Sequence, residues 1–310
     1  MPKVSLGMPV YNDADLVGAA IASLRAQTIT DFELVISDNA STDRTPEVCR
    51  ALAEGDPRIR YIRQEKNDGQ ASNFEFTLNA SRGEYFAWVC SDDMWDPRFL
   101  ERLLGALEAS TEAIGAFGQF AMTDESRNMV ESRFFDYSGA SAVTRLLALC
   151  RHWDDGHEYG LFRREKLEGL TFPRWFGPNR PSPYEISYPV LFFILARGEI
   201  LSVEGPPLLF KRRRGGGFHY QAGKGNRAKW YAYKVLLALN LFLASLGWIR
   251  RGARSLTIPV IVAPAMAAQI FVQSTASVPG LFRYALGRAA RTLLSPSTFE
   301  RLRRAISARR

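Results

Sequence analysis

Asp92 and Asp93 stand side by side after the apolar run Tyr85–Val89. Paired carboxylates beside a buried strand suit a hard divalent cation, Mn²⁺ or Mg²⁺, with oxygen ligands. Such ions commonly arrive with a phosphate. Neither GxGxxG nor GxxxxGK[ST] occurs, so the dinucleotide fingerprint and the P-loop are both absent. A nucleotide would then be held by an aromatic face, by polar side chains and by metal-bridged phosphates. Tyr11 could stack on a base, Asp38 could accept from base or ribose, and Asp92 could hold the metal. Taken singly, each of these polar clusters has a simpler explanation, because Asp, Asn and Ser favour turns and helix caps. The case rests on their common position, and on Asp92-Asp93 being doubled where a cap needs one carboxylate.

That position follows from the elements. Val4–Met8 reads as a buried strand, Leu16–Gln27 has helical spacing, and Phe32–Ser37 is the next strand. Thr45-Pro46 reads as an N-cap followed by Pro at the first helical position, as does Asp96-Pro97 before a helix through Leu107. Ile59–Ile62 and Tyr85–Val89 are further strands, with Asn73–Leu78 helical between them. This alternation predicts an α/β fold, a doubly wound and mostly parallel sheet flanked by helices. Ligands of such sheets bind outside the carboxyl ends of the strands. Those ends carry Pro9–Asp13, Asp38–Asp43 and Cys90–Asp93, three polar loops on one rim. From 121 to 210 the pattern is less regular. A Pro-rich stretch, Phe172–Pro189, precedes an apolar helix Val190–Arg197, then a strand pair near Ile200–Val203 and Leu208–Lys211.

These residues resemble the GT-A glycosyltransferases of family 2. The likeness is carried by Gly7-Met8-Pro9-Val10-Tyr11-Asn12, by Ser37–Thr45, by Asn67-Asp68-Gly69 with Asn73, by Ser81–Tyr85 and by Ser91-Asp92-Asp93. It is close over residues 4–110 and weaker through Gly160–Arg163 to about Arg214. The resemblance implies a GT-A (Rossmann-like) fold, a nucleotide-diphosphate sugar donor, Mn²⁺ or Mg²⁺, and inverting transfer to an acceptor hydroxyl. It places Pro9, Tyr11 and Asp13 in the nucleoside pocket and Asp38 on the base. Asn73 and Ser91 join the donor site, Asp92 sits at the metal-binding end, and Asp93 shapes the donor and acceptor side. Cys90 stands where the family often has Asp. An inverting displacement needs a carboxylate to take the acceptor proton. The family places an Asp before the apolar helix; Ser187 aligns there, and Glu185, two residues earlier, is the candidate base. Arg213 and Arg214 fall where the family's basic segment neutralises the diphosphate, and they are equally readable as the start of a basic tail.

The 310 residues are 46% hydrophobic and 23% charged, which excludes collagen-like, low-complexity and wholly disordered chains. A net charge of +8 conceals a division. Residues 211–310 hold 19 Lys+Arg against the single acid Glu300, whereas the preceding 210 residues are net acidic. We therefore expect a domain over 1–215, divided into a nucleotide-sugar half, 1–110, and an acceptor half, 111–215. A basic, apolar, helical extension follows over 216–310. Its runs Val235–Ile249 and Leu256–Val272 fall short of the roughly 20 residues of a simple spanning helix. They read as buried or interfacial helices, with a tight hairpin through Arg250–Arg254 that dips into the bilayer as the alternative.

Long apolar runs do not suit a nucleic-acid groove, whereas Arg-flanked apolar helices with Trp230, Tyr231 and Tyr233 suit an anionic membrane surface. No charged and apolar leader opens the sequence, and Cys49, Cys90 and Cys150 form no CxxC pair. The expected setting is cytoplasmic, peripheral on the inner face of the cell membrane, with a lipid-linked or polysaccharide acceptor. A non-catalytic nucleotide-sugar-binding scaffold is the alternative. His157-Glu158 is read as part of a surface loop.

Overall fold

The structure, a computed structural model, describes residues 1–139, 141–152, 156–170, 172 and 184–212. In chain order its elements are β1 (Val4–Val10), α1 (Val17–Arg25), β2 (Phe32–Asp38), α2 (Thr45–Glu54), β3 (Ile59–Arg63), α3 (Gln70–Ala80) and β4 (Tyr85–Trp88). There follow β5 (Met94–Trp95), α4 (Phe99–Glu108), β6 (Gly115–Gly118), β7 (Phe120–Thr123), β8 (Met129–Arg133) and α5 (Ala142–His152). The described chain ends through β9 (Leu161–Arg163), α6 (Tyr184–Arg197), β10 (Ile200–Val203) and β11 (Leu209–Arg212).

The main sheet has seven strands in the order β10-β6-β9-β4-β1-β2-β3. It is parallel apart from β9, which runs against both neighbours. β1 and β2 are buried along almost their whole length, as expected for strands covered on both faces. Steps from β1 to β2 to β3 go one way along the sheet and the return to β4 goes the other. Right-handed crossovers therefore put α1 and α2 on one face, where they touch, and α3 on the opposite one. α3 lies so close that a Cβ on Gly7 would come within 2.8 Å of the Thr77 hydroxyl and the Phe86 ring. Only glycine admits that approach. α4 buries Phe99, Leu100, Leu103, Leu104 and Leu107, an i, i+4, i+8 stripe. Burial of each such side chain contributes about 1.5–3 kcal/mol.

A second sheet, β5-β11-β7-β8, grows out of the first. β6 passes into β7 across Gln119, and the parallel neighbour β10 is followed by β11, which pairs with β7. The Leu208 N–H donates to the Gln119 carbonyl at 2.8 Å where the chain changes sheet. The two strands expected as a pair, near 200–203 and 208–211, thus belong to different sheets. Each continues beside a partner, β6 or β7, from residues 115–123, whose short, mostly buried strands show no period-2 signal. The apolar helix begins at Tyr184, not Val190. Pro189 lies inside it and withholds the N–H that would bond the Glu185 carbonyl, a local defect that the sequence pattern reads as a boundary. Thr45 does not cap α2; its hydroxyl accepts the Asp13 N–H at 2.9 Å.

Candidate active site

Sheet order reverses between β1 and β4, which makes the cleft at their carboxyl ends the topological switch point. The three polar loops meet there and bond to one another. Asn12, held at φ 54°, donates its N–H to the Ser41 hydroxyl at 3.0 Å and accepts the Thr42 N–H at 2.8 Å. The Ala14 N–H donates to the Asp43 carboxylate at 3.2 Å. Across the switch, the Ser91 hydroxyl donates to Asp13 Oδ2 at 2.5 Å. Cap-forming residue types are therefore used here to lock loop against loop.

A cavity of about 290 Å³ opens at this junction, lined by Pro9, Tyr11, Asp13, Asn39, Asn67, Asn73, Cys90, Ser91 and Asp92 among others. Tyr11 is 44% exposed, an aromatic face presented to the opening. Asn73 is buried on α3. It accepts from the Ser37 hydroxyl at 2.5 Å and donates to the carbonyls of Ser37 at 2.9 Å and Val10 at 3.4 Å. It brackets the ends of β1 and β2 as well as lining the cavity.

Asp38 lies deeper than the cavity wall. Fully buried, it accepts from the Ser41 N–H at 2.8 Å and the Tyr61 hydroxyl at 2.6 Å, with the Arg63 guanidinium at 3.7 Å. Burial, reinforced by this bond to Asp38, pushes the Tyr61 phenol upward. Asn39 and Asn67, joined at 2.9 Å, form the wall above it. Both lie inside motifs legible in the sequence, yet their role as a joined pair of amides emerges only from the fold.

The metal question turns on the next loop. One ligand atom each from Cys90, Asp92 and Asp93 lies within 4.8 Å of the others. Two carboxylates converging beside a polar cavity, with the Cys90 sulfur near them, fit a hard divalent cation such as Mn²⁺ or Mg²⁺. The Cys90 thiol is half-buried; desolvation, then Asp93 and Asp92, hold its pKa well above the usual range. A hydrogen bond with Tyr159 and the Lys211 charge oppose the shift. Asp93 is buried and its Oδ1 accepts the Arg212 N–H at 2.9 Å, which ties the cluster to β11. Arg127 on the β7–β8 hairpin donates to the Asp92 carbonyl at 2.9 Å. The only sequence signal for that contact is a run of turn-forming residues, Asp124 to Asn128.

Other expected residues fall elsewhere. Glu185 lies in the first turn of α6, and Ser187, two residues further along it, is buried. Arg213, Arg214, His219 and the whole 216–310 extension lie outside the described residues. His157 and Glu158 are not a surface loop. They form a buried 3-10 turn, Gly156–Tyr159, with the imidazole between the Phe117 and Tyr137 rings at 4.2 Å from each. Local polarity suggests exposure; aromatic walls from two distant segments produce burial.

A mostly parallel sheet with a polar cleft at its switch point, and an acidic cluster leading into a second small sheet, is the GT-A architecture. Solved structures of that fold superpose on this chain. S. aureus TarS 1–349 in complex with UDP-GlcNAc matches with a TM-score of 0.56 and 17% identity, over 89% of this chain and 82% of that one. The mannosyltransferase PcManGT from Pyrobaculum calidifontis, in complex with GDP-Man and Mn²⁺, matches at 0.50 and 21%, over 95% and 81%. The family model for glycosyl transferase family 2 matches residues 5–171, and the chain belongs to that family. It is 31% identical over 197 residues to the uncharacterized glycosyltransferase EpsJ of Bacillus subtilis, covering 60% of this chain and 56% of the relative. An uncharacterized glycosyltransferase of Rickettsia felis is 28% identical over 207 residues, covering 61% and 33%. The chain spans between a third and about half of the length of the first curated relatives it matches.

Proposed function

We propose that this protein is an inverting glycosyltransferase. It would move a sugar from a nucleotide-diphosphate donor to a hydroxyl of a lipid-linked or cell-surface polysaccharide precursor, with Mn²⁺ or Mg²⁺. The observation that carries the reading is the cavity at the β1/β4 switch point, with the Cys90/Asp92/Asp93 cluster at one side. Tyr11 offers a face for the base, and Asp13, Asn73 and Ser91 offer polar contacts to the donor. A bound divalent ion supplies positive charge to the departing diphosphate, and Asp92 with Cys90 and Asp93 would hold it. Glu185 takes the acceptor proton as the acceptor oxygen bonds to the anomeric carbon. The bond from that carbon to the diphosphate oxygen breaks, and the nucleoside diphosphate leaves with the electron pair. Arg213 and Arg214 offset its charge.

The test is a thermal-shift panel of UDP-, GDP- and dTDP-sugars with and without Mn²⁺. One donor with metal is expected to raise the melting temperature, by ligand linkage, and Asp92→Ala to abolish that rise. Failure of every donor, together with an inert Asp92→Ala, would end the proposal. Cys90 in place of a carboxylate favours a second reading, a non-catalytic nucleotide-sugar-binding scaffold. Transfer or donor hydrolysis by the wild type, lost in Glu185→Gln, excludes it.

A further inference from the structure

The small sheet holds the two adjacent aspartates at two points, the Asp93 carboxylate from strand β11 and the Asp92 backbone carbonyl from the β7–β8 turn. Asp93 is fixed by the N–H of Arg212 on β11, and Asp92 by the Arg127 guanidinium, both at 2.9 Å. Arg127 reaches that carbonyl from an unusual backbone. It lies at φ 66°, in the left-handed region, within the turn joining β7 to β8. Such a position ordinarily takes Gly or Asn, because a Cβ crowds the neighbouring carbonyl. Asn128 stands one place along, so an exchange of the two neighbours would satisfy the backbone preference.

The turn instead stabilises the strained arrangement. The Asp124 carboxylate accepts the Asn128 N–H at 2.8 Å, the Asp124 N–H donates to the Asn128 carbonyl at 3.0 Å, and the Arg127 N–H donates to the Asp124 carbonyl at 3.1 Å. The loop is closed around an arginine whose side chain is directed at the cluster. Arginine suits that task because its planar guanidinium keeps a fixed direction and a permanent charge.

We propose that Arg127 is a positioning residue of the donor site. Its charged hydrogen bond to the Asp92 carbonyl fixes the Asp92–Asp93 peptide, so that the Asp92 carboxylate is already aimed at the cavity when metal and nucleoside diphosphate arrive. This rests on the donor-site reading above. Its signature is a conflict between stability and binding: the residue strains the hairpin and serves the site. A residue that merely held the hairpin together would show the two properties moving in step.

Arg127→Gly in the full chain separates these cases, since glycine relieves the left-handed backbone while removing the guanidinium. Mn²⁺ binding followed by electron paramagnetic resonance, with UDP, GDP or dTDP present, gives the affinity. The ligand-free melting temperature gives the stability. Binding in Arg127→Gly is expected to weaken about ten- to hundredfold, the scale of a lost charged hydrogen bond, with a melting temperature equal to or above that of the wild type. Unchanged binding in the variant overturns the role of Arg127 alone, and so does a melting temperature that falls with the affinity. A wild type that binds neither Mn²⁺ nor any of the three nucleotides overturns the donor-site reading and this inference with it.

Discussion

Asn73 shows how one side chain joins the fold to the site. Its carboxamide meets the Ser37 hydroxyl and the carbonyls of Ser37 and Val10, at the carboxyl ends of β1 and β2. Removing it strands buried partners, each worth roughly 1–3 kcal/mol. Asn73→Ala should therefore destabilise the protein by about 2–3 kcal/mol, read from the urea midpoint. Asn73→Asp should be no better, because a carboxylate oxygen would face the two carbonyl oxygens in place of the amide N–H groups. A stable Asn73→Asp variant would refute the bracket. Sequence motifs single out Asn73, Asp13 and Ser91 for a donor site, and the cavity gathers all three. What they do not reveal is that the same atoms hold the loops together. That depends on which neighbours the sheet order brings within 3 Å, as the Ser91–Asp13 bond across 78 residues shows.

At the scale of elements, the α2–β3 connection is anchored by one buried carboxylate. Asp56 accepts from Arg58 Nε at 3.0 Å and Nη2 at 2.8 Å, and lies 3.2 Å from Arg25 Nε at the end of α1. The Arg58 hydrogen bonds, aided by its charge and that of Arg25, hold the Asp56 pKa at about 2 against an ordinary 3.8. A lowered carboxylate pKa contributes stability that is complete above the unfolded value. It is lost as pH falls through the folded one, here between about 4 and 2. With solvent screening of the partly exposed arginines, the contribution is about 1–2 kcal/mol. Wild type and Asp56→Asn should thus differ by that amount at pH 7 and converge toward pH 2, in urea titrations at each pH. A gap that ignores pH would show that the ion pairs contribute nothing. The elements of this half are legible because β1, β2 and α1 carry their period in their own residues. Those of the second half are not. β6, β7 and β9 span only three or four residues each, and α6 carries Pro189 in its interior.

For the whole molecule, the division of charge is the feature that local geometry does not absorb. Residues 211–310 carry 19 basic residues and one acid, whereas the site sits in a body rich in carboxylates. Among the described residues no helix is long and apolar enough to cross a membrane. A polybasic, apolar segment attached to a donor site of this kind fits an acceptor held at an anionic lipid surface. Each basic residue near such a surface is worth roughly 1 kcal/mol, and the attraction decays over a Debye length of about 8 Å at physiological salt. The full chain should therefore sediment with vesicles containing phosphatidylglycerol and remain in the supernatant with phosphatidylcholine alone. Raising the salt to about 1 M shortens the screening length to about 3 Å and should release most of the electrostatically bound fraction. Retention that resists salt would instead mark insertion of the apolar runs Val235–Ile249 and Leu256–Val272. Equal partition to both vesicle types would remove charge as the attachment. Salt-sensitive retention on oligonucleotides without vesicle binding would assign the basic third to nucleic acid and detach it from the acceptor.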